Sequence, residues 1–247
     1  RLHVMEGRFS EMESLLAARG ITGIDGVALD LGISSFQLND SDRGFSFQGD
    51  GPLDMRMGAS GRTAAEVVNE EDESSLQKLI RTYGEEWHAG RIARSIVSER
   101  SREKISTTRR LADIVAHAMP RVPGRKHREI HPATRTFQAL RIYVNDEIGE
   151  LKRGLIAAER LLNPRGRLAV VSFHSLEDRE VKQFLRSRSG SRPRASRHSP
   201  PAPTESARPT FELLFRGVPR PLETETSYNP RARSARPPLA RRRGNCG

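Results

Sequence analysis

The chain has 247 residues, enough for one or two domains, and its 35% hydrophobic and 30% charged residues exclude a chain too polar to bury a core. It contains no apolar run of the roughly 18–20 residues that a membrane-spanning helix needs and no signal-peptide core after Arg1, so the expected location is the cytoplasm. The single cysteine, Cys246, excludes a disulfide framework or a multi-cysteine zinc site.

The net charge of +11 is concentrated at one end of the sequence. Residues 186–247 contain 14 Arg, no Lys and 4 Glu, a net charge of +10, together with ten of the 15 prolines. Basic segments bind polyanions by counterion release, and arginine matches the geometry of phosphate, which favours RNA or DNA as the partner class. A solvated tail that keeps the protein soluble is the alternative, and the composition leaves both open.

The first third of the body combines helix, strand and loop signals. Ser10 and Glu13 have the capping-box spacing and precede an apolar stretch closed by Gly20, which predicts a short helix. Residues 26–32 form a short apolar run that ends in an acid and a glycine, typical of a buried strand with chemistry at its carboxyl end. Residues 36–62 show no sustained period but are too apolar for a linker, so we predict an ordered loop.

A block of helices follows. Thr63 and Glu66 repeat the capping-box spacing, and three amphipathic stripes then follow without a strand between them, up to Pro120. A basic loop spans residues 121–128. Helical spacing of apolar residues then continues from 137 to 162, which predicts one long helix.

The last part of the chain returns to strands. Residues 168–173 are predicted as a second buried strand, residues 175–185 as a helix and residues 210–215 as a late strand. The order of strand, helical block, long helix, strand and helix predicts an α/β sheet with a helical insertion.

Polar residues follow both predicted buried strands, where open α/β sheets bind ligands. Asp30 offers a carboxylate that accepts hydrogen bonds from an amine or hydroxyl, although an aspartate that caps the following turn fits equally well. His174 fits a base, a substrate contact or a structural neighbour of a helix. Arg135 and Arg141 lie six residues apart and so on different helix faces, which favours surface charges over a phosphate clamp. The sequence has no HExxH, GxSxG or Walker motif, and no metal site is predicted.

Six strings in the sequence resemble one protein family. They are LDLGISS at 29–35, RGFSF at 43–47, DGPLDMRM at 50–57, HPATRTFQALRI at 131–142, VSFHSLEDR at 171–179 and NPRARSA at 229–235. In this order they resemble the bacterial 16S rRNA (cytosine-N4)-methyltransferases of the MraW/RsmH type, over nearly the whole chain.

The resemblance implies a Rossmann-like methyltransferase core dependent on S-adenosylmethionine (SAM), with an inserted all-helical substrate-recognition domain. The core is expected at residues 1–35 and 135–247, and the insertion at residues 36–134. The family's cofactor contacts match three residues of this sequence, namely Phe9, Asp30 and Gln37. Three further residues are candidate substrate contacts, namely Arg135, Asn145 and His174.

The reaction implied is methyl transfer from SAM to the exocyclic N4 of a cytidine in the decoding region of small-subunit rRNA. The implied partner is that rRNA or the assembled small subunit, without a membrane, and a homodimer is a possible assembly. An exocyclic amine is a poor nucleophile, so enzymes of this class act mainly by positioning it, and Asp30 is the candidate acceptor. The target base must leave its stack, and Phe36, Phe45 or Phe47 either stacks on it or belongs to the core.

The sequence departs from the family pattern at both ends. The family opens with a strand, a Gly-Gly-His loop and an acidic residue that do not precede Phe9 here, so this chain is expected to bind SAM weakly or not at all. The alternative function is therefore a non-catalytic RNA-binding or ribosome-assembly protein on a methyltransferase fold, against which the intact strings argue. Residues 236–238 (Arg-Pro-Pro) interrupt the family's last strand, which is expected not to form.

Overall fold

The computed structural model describes residues 2–120, 131–190, 208–214, 223–228 and 237–244. The chain divides into two compact units, one formed by Arg1–Gly32 and Ile148–Gly247 and the other by Ile33–Glu147. The predicted basic loop 121–128 and the family string 229–235 lie outside the described residues. Within those residues the longest helices have 15 residues, and none offers the length and apolarity needed to cross a bilayer.

The elements of the described chain include ten α-helices and four strands. In chain order they are α1 (Met12–Ala17), β1 (Ile24–Asp30), α2 (Ser35–Asn39), α3 (Ala64–Glu70), α4 (Glu73–Gly84), α5 (Ala89–Arg100), α6 (Thr108–Ala118), α7 (Thr134–Asn145), α8 (Glu147–Leu161), β2 (Leu162–Val171), α9 (Ser175–Ser189), β3 (Phe211–Leu213), α10 (Glu223–Tyr228) and β4 (Leu239–Arg242). Two 3₁₀ turns, Phe9–Glu11 and Ser41–Arg43, precede α1 and follow α2.

The four strands of the described residues form one mixed sheet in the first unit, in the order β1-β2-β4-β3. β1 and β2 are parallel, whereas β4 runs antiparallel to both β2 and β3. Alternate residues of β2, Leu168 and Val170, are buried and share a core with Leu155 of α8 and Val181 of α9. The predicted α/β fold class is confirmed.

Helices α3 to α7 form the second unit together with the loop before them. Most apolar residues of the predicted stripes are buried there, and five of them are fully buried: Leu76 and Ile80 of α4, Ile92 and Ile96 of α5 and Leu111 of α6. α4 packs against both α5 and α7, and α5 also packs against α6. The helical block predicted from the spacing is therefore confirmed as a compact unit with its own core.

The two predicted capping boxes have different outcomes. Thr63 Oγ1 accepts a hydrogen bond from the Glu66 amide at 3.1 Å, and the Glu66 carboxylate accepts one from the Thr63 amide at 2.7 Å, which confirms the second box. The first box, at Ser10, is wrong. The chain turns two residues earlier, where the Arg8 amide donates to the Glu11 carboxylate at 2.7 Å.

The single long helix predicted over residues 137–162 is wrong. α7 ends at Asn145, and Asp146, with a φ of +49°, separates it from α8. Aspartate enters the left-handed region more readily than most residues, and the apolar spacing stays in phase across the break, so the pattern gave no sign of it. The inserted unit was expected to run from residue 36 to residue 134. In the structure it runs from residue 33 to residue 147, because α7 packs within it.

The strands after α9 lie close to their predicted places. β3 confirms the late strand, although it has three residues. The expectation that the last strand does not form is wrong, because β4 begins directly after the two prolines, and Ala240 pairs with Leu168. The prolines precede the ladder and remove no donor from it, and the carbonyl of Pro238 accepts from the amide of Val170 at 3.2 Å.

Glu159 of α8 holds the described parts of the basic tail on the core. Its carboxylate accepts hydrogen bonds from Arg188 Nε at 2.9 Å, from Arg242 Nη1 at 3.3 Å and from the Thr210 hydroxyl. The Arg188 guanidinium also lies over the ring of Phe184, 4.4 Å from its centroid. These two arginines therefore have structural partners, which the charge of the tail alone did not reveal.

Candidate active site

The carboxyl ends of β1 and β2 lie at the same edge of the sheet. The two strands are parallel, Asp30 is in register with Val171, and the Leu31 amide donates to the Val171 carbonyl at 3.1 Å. The segment of residues 172–174 that follows β2 therefore begins beside Asp30. The polar residues predicted after the two strands are brought to one place, where α/β sheets bind ligands.

The Asp30 side chain is exposed at this edge. Within the described part of the chain its carboxylate has no hydrogen-bond or ion-pair partner, so it does not cap the following turn. Gly32, two residues on, has a φ of +89°, and a Cβ built on it would come no closer than 3.9 Å to a neighbour, the Phe173 ring. A free carboxylate and an approachable backbone therefore face the space beyond the sheet.

His174 is the N-cap of α9. Its Nδ1 accepts from the Glu177 amide at 3.4 Å, while the Glu177 carboxylate accepts from the amides of Phe173 at 2.8 Å and His174 at 3.3 Å. His174 Nε2 lies 3.1 Å from the same buried carboxylate, out of line for a hydrogen bond. His174 is therefore the structural neighbour of a helix, one of the three roles considered for it, and Glu177 holds its ring.

Phe9 is packed against α8 in the same unit. Its half-buried ring touches the core, and its Cβ would lie 2.6 Å from a Cβ built on Gly154, so only glycine permits this approach. Glu150 of α8 accepts from the Ser10 amide at 3.3 Å. Burial raises the pKa of Glu150, but hydrogen bonds from Arg153 and Ser10 outweigh burial and hold that pKa below its usual value. The turn that carries Phe9 is thus anchored by an ionised carboxylate.

Gln37 belongs to the helical unit, whereas Phe9 and Asp30 belong to the sheet unit. Its side-chain oxygen accepts from the Ser34 amide at 3.0 Å, and its own amide donates to Ser34 Oγ at 3.2 Å, a capping box at the start of α2. The Ser-x-x-Gln spacing is the sequence signal of this box. The side-chain nitrogen of Gln37 has no partner among the described residues and remains a free donor.

The two arginines of α7 differ in their surroundings. Arg135 is exposed, with Nη1 3.3 Å from the Glu85 carbonyl and 3.6 Å from the Glu86 carboxylate. Arg141 forms two parallel hydrogen bonds to Glu147, at 2.7 and 2.9 Å, and both side chains are largely buried. Arg135 therefore fits the prediction of a surface charge, while for Arg141 that prediction is wrong.

Asn145 ties the end of α7 to the loop of the DGPLDMRM string. Its Oδ1 accepts from the Met57 amide at 2.7 Å, and its Nδ2 donates to the carbonyls of Met55 and Arg141, both at 2.8 Å. Met55 is fully buried and has a φ of +63°, unusual for a residue other than glycine. Both amide hydrogens of Asn145 are used within the protein, so Asn145 positions the loop.

The loop predicted at residues 36–62 is ordered as expected, although its first part forms α2 and the 3₁₀ turn Ser41–Arg43. Further contacts hold it on the other side of the string. Arg43 Nη2 donates to the carbonyls of Arg56 at 2.9 Å and Met57 at 2.8 Å. Gly44 has a φ of +71°, and a Cβ there would overlap the carbonyl oxygen of Pro52. A paired hydrogen bond from Arg56 lowers the pKa of Asp54, which stays ionised. Residues 43–57 therefore form a fixed platform.

The three candidate stacking rings occupy different environments. Phe45 is buried in the helical core, and Phe47 packs edge-on against Phe137, with ring centroids 4.8 Å apart. Phe36 on α2 is 90% exposed. Of these three rings, only that of Phe36 is open to a ligand.

Comparison with known proteins identifies the family. The model of the MraW methylase family matches residues 1–243. The chain belongs to the MraW methylase family. The predicted resemblance is thus confirmed, and the four-stranded mixed sheet with its packed helices agrees with a Rossmann-like methyltransferase core.

Three similar relatives of this MraW-family chain carry the name Ribosomal RNA small subunit methyltransferase H. The relative from Rhodospirillum centenum is 58% identical over 236 residues, which cover 96% of this chain and 70% of the relative. Those from Methylobacterium nodulans and Methylorubrum populi are 55% and 53% identical, again over 96% of this chain, and the matches cover 68% and 66% of the relatives. The chain therefore spans about two thirds of their length.

Proposed function

We propose that the chain transfers a methyl group from SAM to the exocyclic N4 of a cytidine in the decoding region of small-subunit rRNA, in the cytoplasm. The observation that carries this proposal is the exposed, unpartnered Asp30 carboxylate at the β1–β2 edge of a chain from a methylase family. The names of the relatives support small-subunit rRNA as the substrate class.

The residues at the strand ends suit a SAM molecule. Asp30 offers a free acceptor for hydroxyl or amine groups, and the open space beside Gly32 lets a ligand approach the backbone closely. Phe9, in the same unit as Asp30, offers part of an aromatic surface. For Gln37, in the helical unit, a cofactor contact is what the family resemblance implies. SAM, when bound, supplies an electrophilic methyl group on a sulfonium.

The protein's own contribution to this reaction is to hold the amine. The N4 lone pair is delocalised into the ring, so the amine reacts only when acceptors fix its hydrogens and aim the lone pair at the methyl group. Asp30, or a backbone carbonyl at the strand ends, is the proposed acceptor. His174, held by Glu177, sets the course of the backbone where β2 enters α9 and acts as a positioning residue.

Of the three rings considered for stacking, we propose that Phe36 is the one that binds an unpaired base of the substrate RNA. Its ring is 90% exposed, whereas Phe45 and Phe47 are used in the core of the helical unit. The variant Phe36→Ala is expected to weaken substrate RNA binding, and Phe36→Tyr to retain it, because the tyrosine ring stacks in the same way.

The test is methyl transfer to isolated small ribosomal subunits. A version of the protein that carries the family's N-terminal Gly-Gly-His segment is incubated with SAM labelled in the methyl group, and the rRNA is digested and analysed by mass spectrometry for N4-methylcytidine. The 247-residue chain, assayed alongside, is expected to transfer little because it is expected to bind SAM weakly. The R. centenum relative, run in parallel, serves as positive control. Label on another atom would refute the N4 assignment, and RNA binding without transfer would favour the non-catalytic alternative.

The role of Asp30 is tested separately, by SAM binding. In a version of the chain that carries the family's N-terminal Gly-Gly-His segment, Asp30→Ala is expected to weaken SAM binding by about 1–3 kcal/mol, the range for removing one partner of a hydrogen-bonded charged group. Asp25→Ala, which removes an exposed carboxylate near the other end of β1, is the matched control. Equal SAM affinity in wild type and Asp30→Ala would remove Asp30 from the site.

A further inference from the structure

A large aromatic ring stands exposed in a turn between two helices of the helical unit. Trp87 lies in the turn between α4 and α5 and is 78% exposed. It is also the only tryptophan of the sequence. Tryptophan is highly buried on average and is enriched at interfaces, so this exposed ring is a candidate contact for a partner.

Two guanidinium groups are attached to the turn that carries Trp87. Arg81 Nη2 donates to the Trp87 carbonyl at 3.1 Å, and Arg135 Nη1 donates to the Glu85 carbonyl at 3.3 Å. Both arginines are exposed, and each bond uses one of five N–H groups. Arg135 also lies near the buried Glu86, whereas Arg81 has no carboxylate partner in the described chain.

The surroundings of the ring indicate the kind of partner. A protein interface surrounds its aromatic anchor with further exposed apolar residues. α4, the turn and α5 (residues 73–100, all of them described) offer no exposed large hydrophobic residue besides Trp87, although Tyr143 of the adjoining α7 is 39% exposed. An aromatic face beside cationic groups is the combination that binds an unpaired nucleotide, since the base stacks and the phosphates pair with arginine.

We propose that Trp87 is a stacking platform for an unpaired nucleotide of the RNA substrate, with Arg81 and Arg135 binding the adjoining phosphates. The proposal rests on the proposed function in taking RNA as the ligand. It adds a contact outside the strand-end site, within the helical unit, and it assigns to that unit a direct part in RNA binding.

The single tryptophan makes the test direct, since all tryptophan emission comes from the proposed site. The 247-residue chain is titrated with an unstructured single-stranded RNA, and binding is followed by the anisotropy of a dye on the RNA while tryptophan emission is recorded. Stacking predicts quenching that follows the binding curve. Inorganic polyphosphate, which has the charge without the bases, is expected to leave the emission unchanged.

Variants separate the ring from the charges. Trp87→Ala is expected to lower RNA affinity about 5- to 150-fold and Trp87→Phe much less, because phenylalanine still stacks. Arg81→Ala is expected to reduce the slope of log affinity against log salt by about 0.7, the value for one phosphate contact to a single strand. Arg94→Ala, an exposed arginine of α5 already paired with Glu73, is the control and keeps the wild-type affinity.

Three results would overturn the proposal: no RNA binding by the wild type, RNA binding without a change in tryptophan emission, or wild-type affinity in Trp87→Ala. Emission that changes with protein concentration alone would instead assign the ring to a contact between copies of the chain. Methyl transfer to small subunits reports on the proposed function independently. If the stacking experiment fails while methyl transfer is observed, only the Trp87 platform is refuted. If stacking is observed without methyl transfer, only the enzyme assignment is refuted.

Discussion

Asn145 offers the sharpest test of how the helical unit is held together. Asn145→Ala removes the partners of two backbone groups in the loop, the Met57 amide and the Met55 carbonyl. An unsatisfied buried group costs about 1–3 kcal/mol, and partial access of water to this loop lowers that cost, so we expect a loss of about 2–4 kcal/mol in unfolding free energy. The left-handed backbone of Met55 depends on the same bonds and adds to the loss.

The measurement is urea unfolding combined with amide hydrogen exchange, which reports on the loop itself. The Met57 amide, protected through its 2.7 Å bond to Asn145 Oδ1, is expected to exchange much faster in Asn145→Ala. Asn163→Ala is the control, because Asn163 makes one exposed side-chain bond, at 3.0 Å to Asp25, and its loss is expected to stay within about 0.5 kcal/mol.

Two outcomes would contradict this reasoning. A loss below about 0.5 kcal/mol in Asn145→Ala would mean that the two hydrogen bonds from Asn145 to the loop do not hold it. Unchanged stability together with weaker RNA binding would return Asn145 to its predicted role as a direct substrate contact.

The loop and the tail give three further predictions. Gly44→Ala forces a Cβ onto a backbone carbonyl at a φ of +71° and is expected to cost more than about 2 kcal/mol in thermal unfolding, whereas Gly58→Ala, which meets nothing within 4 Å, changes little. The pKa of Asp54 is lowered in the folded protein, so its stabilisation is present above the unfolded pKa of about 3.9 and is lost as pH falls through the lower folded value. The cost of Asp54→Asn, measured by urea unfolding at several pH values, should therefore shrink in acid, and a cost independent of pH would contradict this. The tail prediction concerns Arg186, Arg192, Arg194 and Arg197; Arg188, which the sequence alone would include, is left unchanged because it is bonded to Glu159. Neutralising the four should lower the slope of log RNA affinity against log salt by up to about 0.7–0.9 for each phosphate that is no longer bound, without changing discrimination between RNAs. An unchanged slope would indicate a solvated linker.

The sequence predicted those parts of the fold that depend on local pattern. The helical stripes, the two buried strands and the ordered loop follow from apolar spacing, which each segment carries within itself. The break at Asp146 did not follow, because the apolar spacing is the same on both sides of it. Because the break was not predicted, the ion pair of Arg141 with Glu147 was not predicted either. Residues six apart on a continuous helix face different ways and do not meet.

The candidate site was predictable only in part, for a related reason. Asp30 and His174 could be placed because strand ends are readable and parallel strands bring their ends together. The boxes of Ser34 with Gln37 and His174 with Glu177 have a readable spacing. The clamp of Asn145 had no signal, because its loop partners are backbone atoms 88 and 90 residues away along the chain.

The pairing of β1 with β2 determines the order in which a nascent chain completes its fold. Asp30 and its partner Val171 are about 140 residues apart, so at about 5–20 residues per second β2 is synthesised roughly 7–28 s after β1. Helical units fold in microseconds to milliseconds, and Ile33–Glu147 is one uninterrupted stretch, so its core closes within that interval. On the ribosome, the helical unit therefore folds before β2 is present to pair with β1. A truncated chain that ends before residue 162 should resist protease over residues 33–120 and 131–147, while β1 remains open to cleavage.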